Sequence, residues 1–368
     1  MTLVVRPYLA HDIEGVRAFN RRLAIGGIEF QFPETHISRD FPPLQGRLIS
    51  QEHFVAVDET GAVRGAYILK TEPFWIEGRE QLVCNFQLPL SEGIVDKKWA
   101  MAGVRLLTDA LKRNPLLYCL GMGGTARALP QMLARFGWDL LEVPFYFRVL
   151  RGTNFARELR AVGAPTATAL RLAGRLGLAS VGTKGWNLWS RIRAPSPSRR
   201  SDVEIVEEYS SEVDANRIAL LKNISCAAVR SSATLAERFL KADKRFLRVV
   251  LRGPHAPVEG WALVGLSQLK NHKQFGDMRL GSIIDGMASE GAEAALIQEC
   301  LRVLGEMGAD LVVSNQTHRH WCTALEDNFF VSGPSNFALA RSPQLAALAP
   351  DSSRLHFTRG DGDGPINL

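Results

Sequence analysis

Residues 82–107, LVCNFQLPLSEGIVDKKWAMAGVRLL, contain the reading on which the fold turns. Leu82 to Leu90 has the length and apolar content of a strand, and Trp99 to Lys112 places Ala100, Val104, Leu107 and Leu111 on one helical face. Pro89 lacks the N–H a central ladder needs, so it marks either a bulge or a strand that stops at Leu88.

Working outward, Val4 to Pro7 reads as a strand and Asp12 to Leu23 as a helix carrying Ile13, Val16 and Phe19 on one side. His53 to Val57 and Val63 to Leu69 form a hairpin around Asp58 to Gly61. Beyond the quoted stretch follow strand Leu116 to Leu120, helix Ala128 to Phe136 stopped by Gly137, and strand Val143 to Leu150. The same order returns in the second half. Strand Val203 to Val206 precedes helices near Val213 to Leu221 and Ala233 to Lys241, then a hairpin of Phe246 to Leu251 with Val258 to Leu266. Strand Met278 to Gly286, helix Glu290 to Met307, strand Leu311 to Ser314, a short helix at Trp321 to Leu325 and a strand near Asn336 to Ala340 complete it. One mixed α/β architecture is therefore expected twice.

Composition agrees with folded protein: 368 residues, 46% hydrophobic and 22% charged. Five scattered cysteines, Cys84, Cys119, Cys226, Cys300 and Cys322, read as free thiols in a reducing compartment, and no metal site is expected. The start meets Arg6, His11 and Asp12 too early for a secretory signal, and no segment reaches the ~20 apolar residues of a membrane span. A cytoplasmic location is expected. The net charge of +6 is concentrated between residues 151 and 200, where ten basic side chains meet one acid; the rest carries −3. No nucleic-acid-binding face is expected from that distribution. The basic stretch is expected to be amphipathic helix from Asn154 to Arg191, with Leu159, Leu170, Leu172, Leu176, Trp186 and Leu188 on its apolar side. Trp186 and Trp189 beside Arg191 and Arg193 suit weak contact with anionic membrane or packing against the domains.

The element order, Phe136-Gly137-Trp138 after the last helix of the first half, and Arg230 to Phe239 resemble the GNAT superfamily of acyl-CoA N-acyltransferases. The resemblance is to tandem members found in bacterial exopolysaccharide and capsule gene clusters. It implies a first domain at 1–150, a basic, partly helical connector at 151–201, a second domain at 202–341 and a tail at 342–368. It also implies acetyl-CoA or another acyl-CoA as cofactor, with a small-molecule or saccharide amine as acceptor.

The family holds CoA pyrophosphate where a helix follows the fourth strand, since a helix start offers unpaired N–H donors and positive potential. The matching run is Lys98-Trp99-Ala100-Met101-Ala102-Gly103, with Lys97 before it and Met101 where a glycine is usual. Gln87, Leu88 and Leu90, flanking Pro89, would line the slot for the pantetheine arm, and Gly123 would let it approach the backbone of the fifth strand. Gly121 to Gly124 can equally be a plain turn. The family's usual tyrosine acid is Leu133 here. Tyr146 is then a substitute acid or a buried structural tyrosine, and Glu92 a proton relay or an exposed loop acid.

In the second half His318 is a candidate base or an orienting group, or a surface residue capping a helix. Asp285 and Asn315, at strand ends, would face a substrate cleft. The tail Thr358 to Pro365 lacks a calcium loop's closing glutamate; Arg359 and Asp361 are expected either to dock on the second domain or to fray. The leading expectation is acyl transfer to an amine. Its rivals are a non-catalytic pseudo-acyltransferase scaffold and an aminoacyl-tRNA-dependent transferase.

Overall fold

Alternation along the strands of the first half divides its core into two faces. Val55, Val57, Ala66 and Ile68 point one way, to Val16, Phe19 and Leu23, while Phe54, Ala56, Tyr67 and Leu69 point the other, to Leu106, Leu107, Ala110 and Leu133. In the computed structural model, which describes residues 2–160, 202–215, 221–253 and 258–362, this produces a sheet with helices on both sides.

The elements of the first half are β1 (Val4–Pro7), α1 (Ile13–Ile25), β2 (Ser50–Val57), β3 (Val63–Ile76), β4 (Arg79–Ser91), α2 (Ala102–Arg113), β5 (Leu117–Leu120), α3 (Ala128–Arg135), β6 (Asp139–Glu142), β7 (Phe145–Val149) and α4 (Gly152–Glu158). The second half contains β8 (Asp202–Val206), α5 (Glu212–Ala215), β9 (Cys226–Ala228), α6 (Ser232–Arg238), β10 (Phe246–Arg252), β11 (Gly260–Gln268), β12 (Arg279–Ala288), α7 (Glu293–Glu306), β13 (Leu311–Asn315), α8 (Arg319–Asp327) and β14 (Val331–Gly333). Then come β15 (Ala338–Arg341), α9 (Pro343–Leu348) and β16 (Leu355–His356). The expected helix at Trp99 begins three residues later. Lys97–Trp99 is a separate 3-10 turn, because the Asp96 carboxylate accepts the Lys98 N–H at 2.9 Å.

Two compact units result, Met1–Leu141 with Ala338–Pro350, and Glu142–Phe337 with Asp351–Leu368. The first sheet follows the order β1-β2-β3-β4-β5-β15-β6 and the second β14-β7-β13-β12-β11-β10-β8. In each, one central pair is parallel, β4 with β5 and β12 with β13, and the flanking hairpins are antiparallel.

The strand expected to close the first half lies in the second sheet. Pro144 has no N–H with which to continue a ladder, so the chain breaks after β6, and β7 pairs antiparallel with β13, Tyr146 opposite Ser314. β15, near the end of the second half, pairs with β5 of the first sheet, Ala340 opposite Cys119. The connector helix, expected from Asn154 through Leu159 and on to Arg191, occupies Gly152–Glu158 and stops there, with Leu159 in extended backbone. The expected apolar positions Leu170, Leu172, Leu176, Trp186 and Leu188 and the proposed membrane contact lie outside the described residues. Among the described residues, no helix is long and apolar enough to cross a membrane, and no group of three or more metal-ligating side chains occurs.

Candidate functional site

Pro89 sits in a bulge. Ala66 pairs with Leu90 and Ile68 with Gln87, so Leu88 and Pro89 together oppose Tyr67, and Leu88 takes a left-handed φ of 45°. A leucine in that conformation costs roughly 1–2 kcal/mol, which the surrounding sheet must offset. The parallel pairing of β4 and β5 ends before the bulge, at Asn85 with Tyr118. Beyond it, among the described residues, the ladder of β4 with β5 is not continued, while β5 runs on along β15 through Cys119 and Leu120. β5 then runs into Gly121, Gly123 and Gly124, all at positive φ. Gln87, Leu88 and Leu90 thus lie on one strand beyond the end of the shared ladder, and Gly123 lies just past the end of the other.

The chain leaving β4 leads to the start of α2. Lys97 and Lys98 are exposed, and the Lys98 ammonium lies 5.5 Å from the Trp99 ring centre. Met101 precedes α2 without a side-chain cap and is itself exposed, and the first turn of α2 contains no acid. At Gly103 an added Cβ would meet Met132 Sδ at 3.7 Å and Ser91 Cβ at 3.8 Å, ordinary contact distances.

Glu92 is not an exposed loop acid. It is buried, and its two oxygens accept from Arg22 and Arg64 at 2.9–3.1 Å. Arg64 also lies over Trp99, 4.5 Å from the ring centre, so this cluster pins the segment leading to α2.

On the α1 face the strands around the end of that ladder carry buried polar groups that sequence reasoning missed. Tyr118 donates to Glu72 at 2.9 Å, the Lys70 ammonium lies 3.4 Å from the same carboxylate, and Gln51 donates to Gln87 at 2.8 Å. Lys70, Glu72, Asn85, Gln87 and Tyr118 are all buried. The available signal was Lys70 and Glu72 alternating in β3 directly after the apolar run Ala66 to Leu69.

The second sheet repeats the backbone step. Leu263 pairs with Asp285 and Val264 with Ile283, leaving Ile284 as the bulge, and the parallel pairing of β12 with β13 ends at Ile283 with Ser314. Here the opening is filled by the tail. Asp285 accepts from Arg230 at 2.9 Å and from the Thr358 hydroxyl at 3.1 Å; Arg230 also donates to Asp361 at 2.6 Å, which takes a further bond from Arg238 at 2.9 Å. Arg359 donates to the Asn315 side-chain oxygen at 2.5 Å, and Thr358 forms a bridge with Gln316. Burial alone would raise the pKa of both carboxyls. It prevails for Asp285, whereas Arg230 and Arg238 hold Asp361 down at about 2. Asp285 and Asn315 thus bind the chain's own tail, and Arg359 and Asp361 dock on the second unit as one of the two expectations held.

Tyr146 requires a correction. Of its two readings, a substitute acid for the first half and a buried structural tyrosine, the second describes it: β7 takes it into the second unit's core, where its hydroxyl donates to Glu326 at 2.8 Å. Burial and the neighbouring Cys322 and Glu326 push its pKa far up. His318 is a buried residue at the start of α8 rather than a surface one, and burial lowers its pKa.

No family model matches the sequence, and neither does any curated protein. Among solved structures, Saccharomyces cerevisiae N-myristoyltransferase with bound myristoyl-CoA and inhibitors superposes with a TM-score of 0.51 at 10% identity, over 92% of this chain and 79% of that one. A protein of unknown function from Enterococcus faecalis V583, described as a probable N-acyltransferase, gives a TM-score of 0.50 at 9% identity, over 96% and 74%. With the doubled bulge and ladder end, these likenesses establish that the chain has the tandem GNAT-type fold.

Proposed function

We propose that this protein is an acyl-CoA-dependent N-acyltransferase whose first unit holds the acyl-CoA and whose acceptor is an amino group of a small molecule or a polysaccharide precursor. The observation that carries the reading is the bulge of β4 past the end of its ladder with β5, beside an acid-free helix start flanked by Lys97 and Lys98. Main-chain groups of Gln87, Leu88 and Leu90 would hold a pantetheine amide chain, with Gly123 allowing close approach from the other side. The α2 N-terminus, Gly103 and the two lysines would receive the pyrophosphate.

The cofactor supplies a thioester as acyl donor. Transfer forms a C–N bond, breaks the C–S bond, and moves two protons from the acceptor ammonium, one to a base and one to the leaving thiolate. The buried Glu72 and Tyr118, bonded to each other beside the end of the β4–β5 ladder, are the groups we assign to that proton traffic, in place of Tyr146. Glu92 serves by fixing the segment before α2. A saccharide acceptor and a cytoplasmic setting follow from the sequence resemblance.

A pseudo-acyltransferase scaffold has one observation in its favour: Leu133, at the family's tyrosine position, is fully buried in the core. Titration of CoA and acetyl-CoA, followed by thiol release with glucosamine as acceptor, separates the readings. Binding with acceptor-dependent release supports the enzyme, binding without release the scaffold, and no binding contradicts both.

A further inference from the structure

The end of α1, the 3-10 turn Glu92–Ile94 and the start of α2 adjoin one another in the first unit. Gly26, just past α1, packs on the Val95 side chain, and a Cβ at Gly93 would stand 2.8 Å from Ala100 Cα. Ile25, Ile94 and Met101 each follow or precede a residue of these contacts, so the three lie on contiguous turns. They are 88%, 54% and 63% exposed. Large apolar side chains scattered singly over a surface need no explanation, but three on adjoining turns form a patch that water disfavours.

The charges around the patch are one-sided. Arg21 lies one helical turn before Ile25 on α1, and Arg105 one turn after Met101, whose carbonyl accepts the Arg105 N–H at 3.0 Å. Lys97 and Lys98 lie between Ile94 and Met101. All four are exposed. Arg22 and Arg64 nearby bond Glu92, whereas none of these four is in an ion pair among the described residues. The exposed acids near them in the chain are Glu29 and Asp96, whose carboxylate accepts the Lys98 N–H at 2.9 Å. Four cations thus stand against two carboxylates.

This arrangement discriminates between occupants. A protein partner is held through a closely packed core of complementary shape, to which side chains projecting from separate turns are poorly suited. A bilayer interface has no fixed shape. It takes apolar side chains into the headgroup boundary and draws Lys and Arg to anionic lipids.

We propose that these turns dock the protein on an anionic lipid surface, with Ile25, Ile94 and Met101 inserted and Arg21 and Arg105 against the headgroups. The docking requires no thioester and does not rest on acyl transfer. Its residues are also separate from the basic stretch at 151–200.

The test is sedimentation of the full chain with vesicles of mixed phosphatidylglycerol and phosphatidylcholine, against pure phosphatidylcholine, at low and high salt. Binding to the anionic vesicles, weakened by salt, is expected. Arg21→Gln/Arg105→Gln should lower the partition constant roughly thirtyfold. Ile25→Ser/Ile94→Ser should lower it roughly tenfold or more, with thermal unfolding unchanged because all four side chains are exposed. Lys97 and Lys98, assigned above to the pyrophosphate, stay intact, so CoA titration of both variants should match the wild type. Failure of the docking then leaves the acyltransferase reading standing, and the reverse. Vesicle binding unchanged in both variants would move the contact to the 151–200 stretch, and equal binding to pure phosphatidylcholine would remove the role of charge. Binding to neither vesicle would leave the patch to a protein partner, and CoA affinity lost together with vesicle binding would place these residues in the cofactor site. Each of these four results overturns the proposal.

Discussion

In the first unit β4 and β5 part after Asn85 and Tyr118, and the chain beyond offers exposed lysines and an uncapped helix start. In the second, β12 and β13 part after Ile283 and Ser314, and the residues beyond, Asp285 and Asn315, are bonded to Thr358, Arg359 and, through Arg230, to Asp361. The backbone step is the same. What differs is that one opening keeps positive charge at a helix start, while the other is occupied by a buried ion-pair network and its equivalent helix start, at α7, by Glu293. A duplicated fold can therefore retain a geometry while its side chains assign it opposite uses.

The largest effect should come from removing the tail. Deleting residues 352–368 takes away buried Phe357 and the carboxylate that balances Arg230 and Arg238, and should destabilise the second unit by on the order of 5 kcal/mol or more. An unchanged urea unfolding curve would mean that the tail does not fill that opening. Asp361→Ala alone leaves two buried guanidiniums short of charge and should cost about 3–5 kcal/mol, without altering CoA affinity. A CoA affinity that falls with it would dissolve the distinction between the two openings.

Two glycines sharpen the contrast at smaller magnitude. A Cβ at Gly360 would come within 3.3 Å of both Asp285 Cβ and Phe239, so Gly360→Ala should cost about 1–3 kcal/mol. Gly103→Ala has room and gains helix propensity, so thermal unfolding should show a change of at most about 1 kcal/mol, in the stabilising direction. Its CoA affinity should nevertheless drop, because the added methyl stands where we place the pyrophosphate. A Gly103→Ala protein that binds CoA normally would move the pyrophosphate away from α2.

The sequence disclosed the openings better than their contents. Pro89 announced a break in the ladder, by a bulge or a strand end, because a missing N–H is a local property, and the helix-start charges at Lys97, Lys98, Glu290 and Glu293 were equally plain. Pairing partners were not local. Nothing in Phe145 to Val149 specifies Leu311 to Asn315 as its neighbour, so Tyr146 was placed in the wrong unit, although Pro144 was a visible reason for the chain to leave its sheet. Asp285 was expected to face a substrate cleft and is instead fully buried, because its partner Arg230 lies 55 residues away and Asp361 further still, a meeting only the folded topology creates. The buried Lys70, Glu72 and Tyr118 group escaped notice for the same reason.

The central claim, that cofactor enters the first opening and not the second, is tested most directly by calorimetric titration of CoA into the wild type and two paired variants. The account predicts one site per chain, and affinity reduced about tenfold or more in Lys97→Ala/Lys98→Ala, from lost charge-assisted contacts of about 1.5–3 kcal/mol. It also predicts unchanged affinity and stoichiometry in Glu290→Ala/Glu293→Ala. Binding that survives the lysine variant unchanged, or that responds to the glutamate variant instead, would contradict it.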